Sequence, residues 1–240
     1  THTIEGGGTI SAALDNEGAI VADNPDYELI LDGRAKTNRA QMFATGGATM
    51  RVRDVEIDQT GGGLLGAEEG SRVVLEDALI VGGTLDSEGT GYVQHREGNT
   101  TLRGVTNDGL LLLFGYNRYI LVEGDGLHNN GEIVVNYDHS GYFASLDFTE
   151  DGVLDGPGVV RLDAANAYLE SEPDVVVTQA AAHTVEGRGH LRAGLVNHGL
   201  VDANDPAGEL TAETYAKANH AVMRASGGGT RGSACPSRSA

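Results

Sequence analysis

The apolar residues of this chain come in short alternating runs broken by turn formers. Gly8 to Ala12 carries Ile10, Gly18 to Ala22 carries Ile20, and Glu28 to Asp32 carries Leu29 and Leu31, an alternation that predicts half-buried strands of about five residues. Asp15-Asn16-Glu17-Gly18 and Asp23-Asn24-Pro25-Asp26 lie between them. Asn, Asp and Gly tolerate positive φ and Pro fixes it near −65°, so both segments read as turns. The whole passage is then written again: residues 3 to 29 align without a gap with residues 184 to 210. Thr3/Thr184, Glu5/Glu186, Gly6/Gly187, Gly8/Gly189, Leu14/Leu195, Asn16/Asn197, Gly18/Gly199, Pro25/Pro206 and Leu29/Leu210 are among the identities. They are structural residue types, so what repeats is a backbone path with an interior. Strand-and-turn units repeated at this scale favour a solenoid over a sandwich or a closed barrel.

The middle of the chain varies the theme. The segments starting at Met50, Val73 and Thr101 share the order apolar, polar, Asp or Gly, apolar. Their anchors Val52, Leu75 and Leu102 are 23 and 27 residues apart, and Leu121 follows 19 later. A stack tolerates such a period when turns differ in length but strands stay in register. With about 20 to 25 residues per coil, the body holds roughly nine or ten coils, each adding about 4.8 Å along the axis.

Apolar-x-Gly-x-Gly recurs at Ile4 to Gly8, Val122 to Gly126, Leu154 to Gly158 and Val185 to Gly189. A dinucleotide fingerprint needs a strand feeding a long helix, and no helical pattern of a dozen residues follows any of these, so the glycines read as tight corners. Tandem G-x-G, N-x-G-x-I-x-A and short apolar strands over residues 3 to 212 resemble the right-handed parallel β-helix stems of secreted bacterial repeat proteins, such as haemagglutinin-like exoproteins and autotransporter passengers. The apolar-x-Asp-apolar segments are similar to pectin-lyase-like β-helices as well. The resemblance implies an all-β, right-handed parallel β-helix located outside the cell or at its surface. It carries no family catalytic motif onto this sequence.

Composition fits that class. Thirty-six glycines, four phenylalanines and no tryptophan in 240 residues suit tight turns around a thin aliphatic core. The 35 acidic against 16 basic residues give a formal charge of −19, which argues against nucleic acid and anionic membranes as partners and is compatible with calcium or an extracellular milieu. No run approaches 18 apolar residues, the most apolar being Leu110 to Phe114, so no membrane insertion is expected. The repeat is in pattern by Thr3, which suggests a fragment or processed portion of a longer protein. Residues 1–212 are assigned to the solenoid. Ala212 to Ala225 places Tyr215, Ala218 and Val222 at helical spacing, predicting a short capping helix over 213–225. Residues 226–240, rich in Gly, Ser and Arg and holding the single cysteine, Cys235, read as a disordered tail.

Candidate chemistry is sparse. Asp54 and Asp77 fall at equivalent places on neighbouring coils, about 5 Å apart in a stack, with Arg53 and Arg103 nearby. They are the first candidates for catalytic carboxylates or for calcium; the competing reading is that both are turn formers, since Gly104 occupies the third such place. Asp138 and His139, between Tyr137 and Tyr142, form a second candidate, a loop suited to sugar because tyrosine rings stack on sugar faces while polar groups bind hydroxyls. The remaining histidines lack zinc-ligand spacing. No cofactor is expected beyond calcium. Two functions follow: a non-catalytic extracellular stem or adhesin-like display module touching a glycan or a surface protein, and, as the alternative, a polysaccharide lyase, hydrolase or binding module on the same scaffold. Oligomeric state is left open.

Overall fold

The computed structural model describes residues 2–233, and the expected parallel β-solenoid is what it shows. Each coil is a triangle of three strands. The first face stacks eleven strands in parallel, from Thr3–Glu5 to Lys217–Asn219. The second runs from Gly8–Ile10 to Val222–Ala225, and the third from Leu14–Asn16 to Thr230–Ser233. Eleven levels make about ten turns. In two coils the corner between the second and third faces has no break, and single strands, Val159–Ser171 and Thr184–Leu191, run through it. The described residues contain no helix, and so none long and apolar enough to cross a membrane.

Alternation along each strand sends one side chain in two to the axis. Val159–Ser171 shows this over its length, with Val160, Leu162, Ala164, Ala167 and Leu169 in the core. On the second face one inward row passes through Leu31, Val52, Leu75, His95, Leu113, Val135 and Leu162. A parallel row on the third face joins Ile57, Ile80, Leu102 and Val122. Val52 and Leu75 are therefore true partners one coil apart, whereas Leu102 belongs to the other face and Leu121 pairs with outward Thr101. Both faces carry the same apolar wording, so a period sought in the apolar residues alone jumps between them, and polar His95 hides the correct third member.

Asparagines hold the corners from inside. Asn16 donates to Asn38 Oδ1 (2.8 Å) and Asn38 to Gln59 Oε1 (2.9 Å) where the third face turns into the first. Asn107 to Asn129 (2.8 Å) and Asn197 to Asn219 (2.7 Å) do the same where the first turns into the second. Each ladder satisfies buried corner N–H and C=O groups that the strands leave unpaired. Asn16 accepts from Gly18 N, and Asn197 from Gly199 N. Asn16 thus closes a strand with its side chain turned inward, and the turn begins only at Glu17.

The two copies of the repeat do not occupy the same faces. Thr3–Glu5 lies on the first face and Thr184–Leu191 begins on the second; Leu14–Asn16 lies on the third and Gly194–Asn197 on the first. The second copy is the first advanced by eight whole coils plus one face. Local geometry is nevertheless conserved: φ is 115° at Gly6 and 103° at Gly187, and 133° at both Gly8 and Gly189.

At the same offset of 181 the match continues beyond residue 210, through Ala35/Ala216, Lys36/Lys217, Asn38/Asn219, Met42/Met223, Ala44/Ala225, Gly46/Gly227, Gly47/Gly228 and Thr49/Thr230. Lys36 Nζ donates to the carbonyls of Asp32 and Arg34, and Lys217 Nζ to those of Glu213 and Tyr215. The capping helix expected over 213–225 is consequently replaced by the strands Lys217–Asn219 and Val222–Ala225. Their backbone pairs with the preceding coil, with His220 N donating to Asn197 O (2.8 Å). The tail assigned to disorder begins as a further corner, closed by Gly229 N to Ser226 O (2.9 Å), and a strand through Ser233. Cys235 lies outside the described residues.

Candidate binding site

Arginines on the outer surface join neighbouring coils. Arg51 is clamped between Glu28 (2.7 Å) and Glu76, Arg161 between Glu132 (2.9 Å) and Glu186 (3.2 Å), and Arg103 pairs with Glu123. The Arg51 hydrogen bond holds the Glu28 carboxyl below its usual range, while burial pushes the Glu76 carboxyl up.

Asp54 and Asp77 sit at successive corners between the second and third faces, with φ of 51° and 47°. Both adopt the left-handed conformation of a turn former. Asp77 Oδ1 accepts from Asn99 N (2.9 Å). The next residue in this column is Gly98, since Glu76 pairs with Glu97; Gly104 turns another corner, at the far end of the third face. Arg53 is paired with Asp32 (3.2 Å), and Arg103 lies at that far end. The structure therefore does not bring the two arginines together around Asp54 and Asp77. Among the described residues no three His, Cys, Asp or Glu side chains converge in a way that could hold a metal ion.

Asp138 and His139 lie in the longest corner of the solenoid, residues 136–143, between Glu132–Val135 and Ala144–Phe148. Asn136 and His139 have φ of 63° and 49°. Asn136 Nδ2 donates to Tyr142 O (3.0 Å) and Asn166 Oδ1 (2.6 Å), and Asn166 Nδ2 donates to Ser140 O (3.0 Å), so the loop is clamped to the next coil. Asp138 Oδ1 accepts from Gly115 N (2.9 Å), clamping it to the previous one. His139 Nε2 meets Asp163 Oδ2 at 2.7 Å.

Around this loop gather the aromatic side chains. Phe114 and Tyr137 meet edge-on at 5.7 Å, and Tyr116 and Tyr142 stack at 6.2 Å with 22° between planes. Tyr119, Phe143, Tyr168 and His190 continue as a string along the third face, at 5.2, 6.0 and 4.8 Å. Arg192 lies over the Tyr168 ring at 4.2 Å, a cation–π contact. Tyr116, Tyr137 and Tyr142 are each about half exposed, at 47, 49 and 56 %. Of twelve Phe and Tyr residues in the chain, eight lie between positions 114 and 168, and only Phe148 of these belongs to the core. Tyr137 and Tyr142 were marked by the sequence; Phe114, Tyr116, Tyr119, Phe143 and Tyr168 were not. The crowding of rings into one quarter of the chain, at coil spacing, was the signal.

Beside the string, on the strand Ala144–Phe148 and paired with Leu121 and Glu170, lies Asp147, whose carboxyl is pushed up to about 7 by burial first and then by Glu170 and Glu172. Burial and the same carboxylates raise the Tyr119 hydroxyl. The corner thus offers ring faces, a clamped loop and a protonatable acid. No protein-family model, no curated protein and no solved structure matches this chain.

Proposed function

We propose that the chain is a non-catalytic stem of the secreted bacterial β-helix kind, acting outside the cell or at its surface and holding the aromatic corner out as its point of contact. The observation that carries this reading is that outward arginines serve the stack: the clamps at Arg51, Arg103 and Arg161 hold adjacent coils through carboxylates. A hydrolase or lyase needs acid and base groups free to face substrate, and the pair marked for it, Asp54 and Asp77, sits in turn geometry. The exposed rings favour a second, compatible reading, a polysaccharide-binding module. Tyrosine faces cover the apolar faces of sugar rings, and a charge of −19 turns the choice away from acidic polymers. The test is a screen of neutral, basic and acidic polysaccharides with and without calcium, reading both new chain ends and retention. The stem reading expects no new ends, and retention, where found, lost in Tyr116→Ala/Tyr142→Ala. Turnover that disappears in Asp54→Asn or Asp77→Asn overturns it.

A further inference from the structure

Two polar side chains point outward from the third face and are nonetheless buried. Along Ala144–Phe148 the inward residues are Ala144, Leu146 and Phe148, all in the core. Ser145 and Asp147 therefore face away from the axis, yet Ser145 is fully buried and Asp147 only 9 % exposed. Neither Ser145 Oγ nor Asp147 Oδ1 has a hydrogen-bond partner. Each such group left unpaired costs about 1–3 kcal/mol, so the pair side by side favours a bound polar group that reaches both.

Strand register supplies the walls. Tyr119, Ser145 and Tyr168 are paired neighbours on three successive coils, so the two tyrosines flank Ser145 at two strand spacings, about 9.6 Å. That gap has the width of one ring or alkyl chain held between two faces. The ring of Phe143 lies there now, edge-on to Tyr119 (66°) and to Tyr168 (85°). Its backbone is fixed, since Phe143 O accepts from Tyr116 N (3.3 Å) and Asn117 N (2.9 Å), but its side chain closes the slot through rotatable bonds.

The rim sets the charge of what would replace it. Leu121 and Glu170 pair with Asp147 on either side, and Glu172 lies just beyond. Arg192, over the Tyr168 ring, pairs with Glu213 (2.8 Å) and reaches Glu170 (3.8 Å), and His190 is also paired with Glu213 (2.8 Å). Arg118 opens the preceding strand. Carboxylates thus dominate at Asp147, and tyrosine faces attract cations.

We propose that this slot binds a protonated amine carried on a ring or short alkyl stem. The stem takes the place of the Phe143 ring between Tyr119 and Tyr168, and the ammonium donates to Asp147 and Ser145. Anions are repelled by Asp147 and Glu172, and a neutral hydroxyl leaves the Asp147 charge uncompensated. The site stands whether or not the exposed tyrosines touch a glycan.

The test is calorimetric titration of the full chain with n-butylammonium and glucosamine, beside their neutral counterparts n-butanol and glucose, at about pH 7.5, where Asp147 is mostly ionised and both amines are largely protonated. Both wild type and Phe143→Ala are titrated. Saturable binding of at least one amine is expected, about tenfold or more tighter in Phe143→Ala because the closed state no longer competes. It should be absent in Phe143→Ala/Asp147→Asn, and the neutral probes should not bind. Preference between the two amines tells a sugar-borne group from an alkyl one. No amine binding by Phe143→Ala with wild-type circular dichroism, equal binding of the neutral probes, or binding indifferent to Asp147→Asn overturns the proposal. Should Phe143→Ala not fold, Phe143→Trp gives the only tryptophan in the chain, and its emission must shift when amine displaces it; an unchanged spectrum at saturating amine overturns the proposal equally.

Discussion

His95 occupies an inward row between Leu75 and Leu113, fully buried, with the Leu75 and Gly98 backbones near its ring but no well-aligned hydrogen bond to either nitrogen. Burial lowers its pKa from 6.5 to about 4. The fold therefore holds the neutral imidazole, and the sign follows. Above pH 6.5 neither the folded nor the unfolded chain is protonated there, and stability is full. Between 6.5 and about 4 the unfolded chain takes up a proton that the folded chain refuses, so stability falls with pH. Below that the loss levels off, at about 3 kcal/mol from about 1.4 kcal/mol per tenfold change in proton affinity. His95→Leu removes this loss and restores the residue type found above and below it in the row. Its unfolding free energy in urea should exceed that of wild type at neutral pH, by about 1 kcal/mol for an imidazole whose nitrogens are poorly bonded. The gap should widen by about 3 kcal/mol toward pH 4. Urea unfolding followed by circular dichroism at several pH values measures both. A gap that stays constant from pH 8 to pH 4 refutes the reasoning, since the imidazole would then titrate alike in both states.

Asp147 has the opposite sign. Its folded pKa, about 7 against 3.8, gives stability that is full below 3.8 and is lost as pH rises to 7, so Asp147→Asn should raise the urea midpoint at pH 8 by roughly 2–4 kcal/mol and leave it nearly unchanged at pH 4. Asn38→Ala removes donors to Gln59 and the Leu64 carbonyl, and acceptors for Asn16 and Ala40 N; a loss of about 2–4 kcal/mol is expected, read as the same midpoint. Lys36 is 1 % exposed, and Lys36→Met strips the ammonium from the Asp32 and Arg34 carbonyls. That should cost about 1–3 kcal/mol, and hydrogen exchange should show the corner at 32–36 opening first.

The solenoid was legible because its signals are local: alternation at Val160, Leu162 and Ala164, and turn residues at fixed intervals, each dictate a strand or a corner without reference to distant contacts. What was not legible is which face a strand joins. Leu102 and Leu75 look alike in sequence, and only pairing with Ile80 or with Val52 tells them apart. The site escaped for a related reason. Asp138 and His139 stood out as reactive types, but Asp138 is spent on Gly115 N, while the informative residues, Phe143 and Asp147, acquire their environment from Tyr119 and Tyr168 on other coils. The capping helix arose from spacing alone. Tyr215, Ala218 and Val222 lie three and four apart, yet Lys217, Asn219 and Met223 repeat Lys36, Asn38 and Met42, and the corner chemistry of lysine and asparagine prevails over the spacing.

That correspondence makes its own prediction, because the two copies test each other on different faces. Residue 33 is Gly at φ 73° and its counterpart, residue 214, is Thr at φ 71°. The left-handed region suits glycine and penalises a β-branched side chain by about 1–2 kcal/mol. If the repeating unit is one face with its corner, and the faces are equivalent as backbones, Thr214→Gly should stabilise the chain by about 1 kcal/mol. The reverse change should cost more. A Cβ at Gly33 would lie 2.8 Å from Ser11 O, so Gly33→Thr adds a steric term to the backbone penalty, for a loss of about 2–3 kcal/mol. Urea midpoints of both variants, compared with wild type at a pH near neutrality, decide the matter. A Thr214→Gly variant that is neutral or destabilised would mean that the threonine at 214 is held by its own face, and that the second copy inherits the wording of the first but not its corner.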